Sequence, residues 1–513
     1  MKRHVGLFCG LFCSAALVLL LPLLVATSAQ AAETHLPTRL ALKYAEWTDP
    51  SPAANDAFGC SVAVSGTTAV VGVPNKAVNG LTGAGTAYVY VRSASGWTRQ
   101  AKLTAGDAAA DDYFGLSVAV SGNTAVVGAY GKTVNGFTIA GAVYVFTRSG
   151  STWKQQAKLT ADDAAHFDDF GLSVAISGDT IVVGAGDKAA NSLTDAGAAY
   201  VFTRSGSNWS QKAELIPSDA AAYDQFGWSV AISGHSVVVG AGNKTANSIS
   251  ASGVVYVFTG SGSSWTQQTE LTAADPKANA AFGRFVALAG DTVVIGAPTY
   301  NRGSLGWAGA AYVFVRSGAT WSQQAKLISP NPIAMGQFGS SVAVSGESAL
   351  VGASTESVGA LAGAGKAYLF CRSGTSWTRQ LSLSAPDPAA SDLFGSAVGL
   401  AGTTALVGAD NKTVSTAAAA GAAYAFQLPP TVTKLAPAAG KHGAIVAITG
   451  SDFGAKRGTS YVKFGSAKCT SYLSWSNTRI KCRVPATAKV GTLNITVTTS
   501  AGTSNTGSFK VKG

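Results

Sequence analysis

Residues 114–159 read FGLSVAVSGNTAVVGAYGKTVNGFTIAGAVYVFTRSGSTWKQQAKL, and their punctuation cuts them into four short strands. Residues 116–121 alternate and predict a first strand, closed by a tight turn at Gly122-Asn123. An apolar run over 124–129 predicts a second, and a longer loop covers 130–140. Residues 142–148 predict a third strand with Tyr144 and Phe146 on one face. Ser149-Gly150-Ser151 turns the chain into a fourth strand over 153–159.

The same text recurs every 56 residues. Phe-Gly stands at Phe58-Gly59 and returns six more times, the last at Phe394-Gly395. A Gly at Gly72 and a Tyr at Tyr88 keep that step through Gly408 and Tyr424. Four short antiparallel strands repeated around an axis predict an all-β, seven-bladed β-propeller over residues 36–428. The fourth strand decides closure. Its Trp occurs six times, from Trp97 to Trp377, and the next step lands on Thr433, past the last unit. Tyr44-Ala45-Glu46-Trp47 sits one period before Gln100-Ala101-Lys102-Leu103. The N-terminal strand is therefore expected to complete blade seven and leave no open edge.

These units resemble FG-GAP repeats, the units of the integrin α-chain propeller, which are named for Phe-Gly and a later Gly-Ala-Pro. Phe-Gly is complete in all seven units, whereas Gly-Ala-Pro is literal only at Gly296-Ala297-Pro298. Several units of that family carry an Asp-x-Asp-x-Asp-Gly calcium loop between strands one and two. Here the corresponding places are two-residue turns such as Ser65-Gly66-Thr67-Thr68 and Ser233-Gly234-His235-Ser236. Calcium needs six to eight oxygen ligands, so no calcium, other metal or cofactor is expected.

Tight one-to-two and three-to-four turns make one end of the predicted propeller smooth. The long two-to-three and four-to-one loops make the other end the candidate binding face, which the integrin resemblance also implies. Periodic charges lie on those loops: Lys76, Lys132, Lys188, Lys244 and Lys412 on one, and Asp56, Asp112, Asp168, Asp224 and Asp392 on the other. A second Asp series runs through Asp107, Asp163, Asp219, Asp275 and Asp387. Two readings are open. The charges form a ring that binds an ion or glycan, with Lys76, Lys132, Lys188, Lys244, Asp112, Asp168 and Asp224 as its ligand-binding members, or they cap turns and pair with one another. One loop crowds Asp162, Asp163, Asp168 and Asp169 around His166, which reads either as a metal or acid–base site or as solvated turn residues.

The ends of the chain differ from the repeats. Residues 1–32 open on Lys2-Arg3-His4, continue as an apolar run and finish on Ala29-Gln30-Ala31, the pattern of a secretory signal peptide. The run is also long enough to serve as an uncleaved anchor. Beyond Pro429-Pro430 the period stops. Short strands are expected over 445–449, 461–464, 479–484 and 492–498. Ile448-Thr449-Gly450-Ser451-Asp452-Phe453-Gly454 and Val462-Lys463-Phe464-Gly465 give residues 430–513 a resemblance to the IPT/TIG domain, an immunoglobulin-like β-sandwich. This segment holds twelve Lys or Arg against one acidic residue, Asp452, a charge of +11 equal to that of the whole chain. So dense a charge suits an anionic envelope polymer, or simply solubility. Cys469 and Cys482 are expected to pair as a disulfide in an oxidising compartment, and Cys60 and Cys371 to be buried thiols.

No His-Glu-x-x-His, nucleophile elbow or phosphate loop is present. The sequence predicts an exported, monomeric, cell-surface or extracellular binding protein that is not an enzyme. Its partner would be an extracellular protein or glycan, not nucleic acid. A secreted carbohydrate- or lipid-active enzyme and a purely structural exported protein are the alternatives.

Overall fold

The computed structural model describes residues 42–513 apart from 94, 455, 500 and 505. The expected signal peptide lies outside them. All regular structure among the described residues is β. Seven four-stranded sheets form the propeller: six lie wholly within 62–103, 117–159, 173–215, 229–271, 285–327 and 338–383, and the seventh joins 398–427 to Tyr44–Trp47. The unit at residues 114–159 places its strands at Ser117–Ser121, Thr124–Ala129, Ala142–Ser149 and Thr152–Leu159. These lie within one residue of the sequence expectation.

The N-terminal strand closes the ring as expected. Tyr44–Trp47 pairs antiparallel with the third strand of blade seven, Tyr44 opposite Phe426 and Trp47 opposite Ala423. Trp47 is buried and stacks on Tyr90 of blade one at 4.0 Å and 5°, with its edge toward Trp97 at 5.4 Å. The closing strand is thus gripped by the blades on both sides of the seam.

Each recurrent residue has a mechanical reason. Gly115 takes φ +99° and packs so tightly that a Cβ would lie 2.4 Å from the Thr86 carbonyl oxygen. Gly72 faces the Gly115 carbonyl of the next blade, which a Cβ would meet at 1.9 Å. The two repeating glycines are therefore the points where neighbouring blades touch backbone to backbone. Phe114 and Tyr144 are fully buried and meet at 5.5 Å, and six other blades repeat that pair between them. At the rim, Trp153 Nε1 donates to Gln100 Oε1 of the preceding blade at 2.8 Å. Trp209, Trp321 and Trp377 donate to the equivalent Gln.

The C-terminal domain is a sandwich of two sheets around a core containing Phe453, Phe464, Ile480, Ile495 and Phe509. Tyr461–Phe464 is as expected, whereas Ile445–Ser451, Arg479–Arg483 and Gly491–Thr499 differ by up to two residues at their ends. Thr431–Ala436, Tyr472–Trp475 and Gly507–Lys512 are further strands that the sequence reading did not place. The sandwich leans on the smooth end of the propeller. Ser373 Oγ, in a three-to-four turn, donates to the Thr433 carbonyl at 3.3 Å, and Asp452 stands over Gly402 in a one-to-two turn. The loop-rich end stays clear of it.

The expected disulfide needs correction. Cys469 and Cys482 are free thiols, both buried in the sandwich core. The Cys482 thiol hydrogen-bonds Cys469 and lowers its pKa, and the same contact raises that of Cys482. Cys469 Sγ also donates to the carbonyls of Ser471 and Arg483 at 3.3 and 3.2 Å. Cys469 follows Ala467–Lys468 of one sheet and meets Cys482 in Arg479–Arg483 of the other, across the sandwich core. Cys371 is a buried thiol as expected, whereas Cys60 is half-buried and disulfide-bonded, which corrects the expectation for it.

Candidate functional site

The periodic charges of the loop-rich end are turned inward. Lys132 Nζ donates to the Asp112 carboxylate at 2.9 Å and to the Asp107 carbonyl oxygen. Lys76 does the same to Asp56 at 2.8 Å, Lys188 to Asp168 at 3.3 Å and Lys244 to Asp224 at 2.9 Å. Lys412 lies 2.9 Å from Asp387 and 3.6 Å from Asp392. All five Lys and their loop Asp partners Asp56, Asp112, Asp168, Asp224 and Asp392 are buried. Each of those carboxylates also accepts the backbone N–H three residues before it, as Asp112 does from Ala109 at 2.7 Å. The second Asp series receives the buried Tyr hydroxyls, Tyr144 to Asp107 at 2.6 Å and Tyr256 to Asp219 at 2.7 Å. Burial would raise Asp107, but hydrogen bonds from Lys158 and Tyr144 bring it down to about 2. For Asp112 and Asp168 burial prevails and the pKa rises. Of the seven residues expected as a ligand-binding ring, Lys132, Lys188 and Lys244 are thus paired with Asp112, Asp168 and Asp224, and Lys76 is paired with Asp56. Their charges tie each four-to-one loop to the next two-to-three loop.

The crowded acidic loop is dispersed. Asp163 and Asp168 are held by Lys188. His166 Nδ1 accepts the Thr138 N–H at 3.0 Å and sets its ring edge-on to Phe137 at 5.1 Å. Asp169 is buried, its pKa raised by that burial and by Asp187. Among the described residues no group of three or more His, Cys, Asp or Glu side chains is placed to hold a metal ion.

What the loop-rich end offers instead is a cavity of about 690 Å³ on the propeller axis. A collar of Val62, Val118, Val174, Val230, Val286, Val342 and Val398, one from each first strand, lines it. One step toward the mouth, the residue after Phe-Gly faces the axis. This position does not repeat: it is Cys60, Leu116, Leu172, Trp228, Arg284, Ser340 and Ser396 in turn. The Arg284 guanidinium lies 3.6 Å from the centre of the Trp228 ring. Burial lowers its pKa to about 10, against the attraction of Asp187. Gln225 Nε2 donates to Asp187 at 2.7 Å and Asn243 Nδ2 to Gln225 at 2.6 Å, which fixes that side of the mouth. In blade seven, Asp410 lines the same cavity, and its burial raises its pKa to about 7. The Ser396 hydroxyl hydrogen-bonds that carboxyl and holds the rise in check.

Large apolar side chains stand exposed on the long loops of this end: Phe137, Phe167, Tyr223, Trp307 and Met335, and Trp307 also lines the cavity. Four of them hold left-handed backbone, Phe167 at φ 66°, Tyr223 at 69°, Trp307 at 53° and Met335 at 60°. The loop geometry demands that conformation in every unit, and Asn55 and Asn279 meet it at the position of Phe167 and Tyr223. A bulky residue there carries strain that Asn or Gly avoids.

Models of the FG-GAP repeat match residues 45–90, 97–146, 153–202, 209–258, 265–314, 321–370 and 377–426. The chain belongs to the FG-GAP repeat family. An IPT/TIG domain model matches residues 430–511. Among curated proteins, the chain is similar to a cyclomaltodextrin glucanotransferase of Bacillus sp. (strain 17-1), 42% identical over 78 residues, 15% of this chain and 10% of that enzyme. It is also similar to one of Niallia circulans, 32% identical over 111 residues, 21% of this chain and 15% of that enzyme. The chain thus spans a small part of the length of these relatives. Among solved structures, Saccharomyces cerevisiae Sqt1 aligns at TM-score 0.41 and 9% identity, over 75% of this chain and 98% of that one. A fungal alcohol oxidase of the AA5 family in complex with copper aligns at TM-score 0.45 and 13% identity, over 92% and 99%.

The FG-GAP units also explain why the mouth was missed. The residues that recur with the period are the fasteners of the fold. The signal was the opposite one: positions such as 228, 284 and 410, where seven otherwise matching units disagree.

Proposed function

We propose that this FG-GAP propeller is the binding part of an exported binding or adhesion protein that is not an enzyme, and that its loop-rich face engages an extracellular glycan or protein. The observation that carries this reading is the set of exposed apolar side chains on the loops of that face, four of them held in left-handed backbone. Strained, exposed aromatics cost stability, and rigid scaffolds keep such costs at sites of recognition. The basic sandwich sits at the opposite end, where it serves as spacer or as attachment to an anionic envelope polymer. The protein needs no nucleic acid, metal or second copy for this role.

Glycan and protein arrays probed with the full-length protein test the reading. Hits are expected to vanish with the triple change Phe167→Ser, Tyr223→Ser, Met335→Ser. Hits that survive it would overturn the assignment of the face. Deleting residues 430–513 should remove salt-sensitive attachment to cells and leave the array hits in place.

A further inference from the structure

We infer that the outer face of one sheet of the C-terminal sandwich binds a linear polyanion. The polymer lies along Gly491–Thr499, between Lys441, Lys510 and Lys512 at one end and Lys463 and Lys468 at the other. This deepens the attachment role proposed above and rests on it.

The face follows from strand alternation. This sheet orders Ala439–Lys441, Gly507–Lys512, Gly491–Thr499, Tyr461–Phe464 and Ala467–Lys468. Phe509, Val511, Ile495 and Val497 belong to the sandwich core, so the residues that alternate with them point outward. Along Gly491–Thr499 these are Thr492, Asn494, Thr496 and Thr498, all short and uncharged. Lys510 stands opposite Thr492 on one flank, and Lys463 opposite Thr496 on the other. Long cationic side chains therefore rise on both sides of a low polar floor. From Thr492 to Thr498 the floor is about 20 Å long, at about 3.3 Å per residue. A linear chain laid along it meets lysines at both ends.

The placement of charge selects the partner. Lys463 is directly opposite Lys468, and Lys441 is directly opposite Lys512. Like charges at facing positions destabilise a sheet. The Tyr461 ring gives the first pair a weak common support, 5.7 Å from Lys463 Nζ and 4.1 Å from Lys468 Nζ. Asp452, the one acidic residue of residues 430–513, stands over Gly402 at the propeller contact. Solubility would be served equally by lysines set apart from one another. Two facing pairs around an uncharged floor make a field of one sign, which a row of anions neutralises. The opposite sheet is built differently. Its exposed Arg479, Lys481 and Arg483 share a single strand, and exposed Ile445 and Leu473 lie on the strands beside it. Arg483 Nη1 donates to the Gly443 carbonyl at 2.9 Å. A lipid surface fits the lysine face less well than a polymer does, because its floor offers no large apolar side chain to enter a bilayer.

Binding of the full-length protein to immobilised polymers provides the test. The probes are polyphosphate, polygalacturonate and uncharged dextran, with phosphatidylglycerol vesicles as the membrane arm. At least one anionic polymer is expected to bind, with an affinity that falls steeply with salt, and dextran is not. Which of the two binds shows whether phosphate or carboxylate carries the charge. Lys463→Gln with Lys468→Gln, and separately Lys510→Gln with Lys512→Gln, should each weaken polymer binding about fivefold or more and flatten its salt dependence. Lys468, Lys510 and Lys512 are exposed and Lys463 is half-buried, so the thermal midpoint should not fall. Arg479→Gln with Lys481→Gln removes the same charge from the opposite sheet and should change the affinity by less than about twofold. Equal losses from the two sheets would reduce the effect to net charge and overturn the inference. So would dextran binding as tight as that of the polyanions, failure of both anionic polymers, or binding to the vesicles alone. If deleting residues 430–513 abolishes attachment to cells while both lysine variants bind polymer like the natural protein, the attachment role stands and this inference fails.

Discussion

Lys132 and Asp112 form a buried ion pair, with Nζ 2.9 Å from Oδ2, and the seven units treat the two positions as one. Wherever the Lys is present, its Asp is present. In the fifth unit the Lys position is Tyr300 and the Asp position is Ala280. There the Tyr300 hydroxyl donates to Asp275 at 2.9 Å. In the sixth the positions are Glu356 and Gly336, and Glu356 accepts from Tyr368 at 2.5 Å and Lys366 at 3.1 Å. Each exchange leaves no buried charge unpaired. A ring that served a ligand would have no reason to change in pairs.

The pairing sets the first prediction. Lys132→Met strands the Asp112 carboxylate and should cost about 3–5 kcal/mol, read as a lower midpoint of urea unfolding. Lys132→Tyr combined with Asp112→Ala copies the fifth unit and should recover most of that loss. A double variant no more stable than the single one would show that the two positions are independent.

Closure of the ring gives the second. Trp47→Ala removes a buried side chain that stacks on Tyr90 and should cost about 3–5 kcal/mol. Tyr44 belongs to the same strand but is exposed, so Tyr44→Ala should shift the thermal midpoint little. Equal effects of the two changes would argue against Trp47 as the fastener.

The blades, their number and the closing strand were legible because backbone contact imposes a strict chemistry. Gly72 and Gly115 admit no Cβ, and Tyr88 and Phe58 fill the same space in each unit. The orientation of Lys132 was not legible. A Lys beside an Asp in a polar loop reads the same whether it faces water or lies beneath the loop, and only the third dimension shows Asp107 and Asp112 closing over it. The cavity was hidden for a different reason. Trp228, Arg284 and Asp410 come from three blades and stand far apart in sequence, and the axis alone brings them to one cavity.

Asp410 gives a prediction in pH. Its buried carboxyl titrates at about 7 in the folded protein, raised by burial from 3.8. The folded state therefore holds this proton more tightly than the unfolded chain. Stability from this group is full below the unfolded pKa, falls as pH rises through the interval, and is lost above about 7. Asp410→Asn cannot ionise, so its advantage over the natural protein should grow from pH 4 to pH 8 and then level, reaching about 3–4 kcal/mol at most. Urea midpoints of both proteins across that range check it. Parallel pH curves would place the titration elsewhere.

The last prediction separates stability from recognition at the mouth. Tyr223 is more than half exposed and holds φ 69°. Asn279 holds φ 57° at the equivalent position of another unit. Asn tolerates left-handed backbone because its short side chain hydrogen-bonds locally. Tyr223→Asn should therefore relieve strain and give up little buried surface, raising stability by about 1 kcal/mol. The same change removes an aromatic surface from the binding face. Affinity for the ligand found on the arrays should fall by about three- to tenfold, the equivalent of about 0.5–1.5 kcal/mol for one aromatic contact. Opposite signs are the point of the experiment. A residue kept only for packing would lose stability when replaced, and a residue of no consequence would leave both quantities unchanged. A higher urea midpoint with a weaker dissociation constant is the signature of a strained side chain retained for contact with a partner.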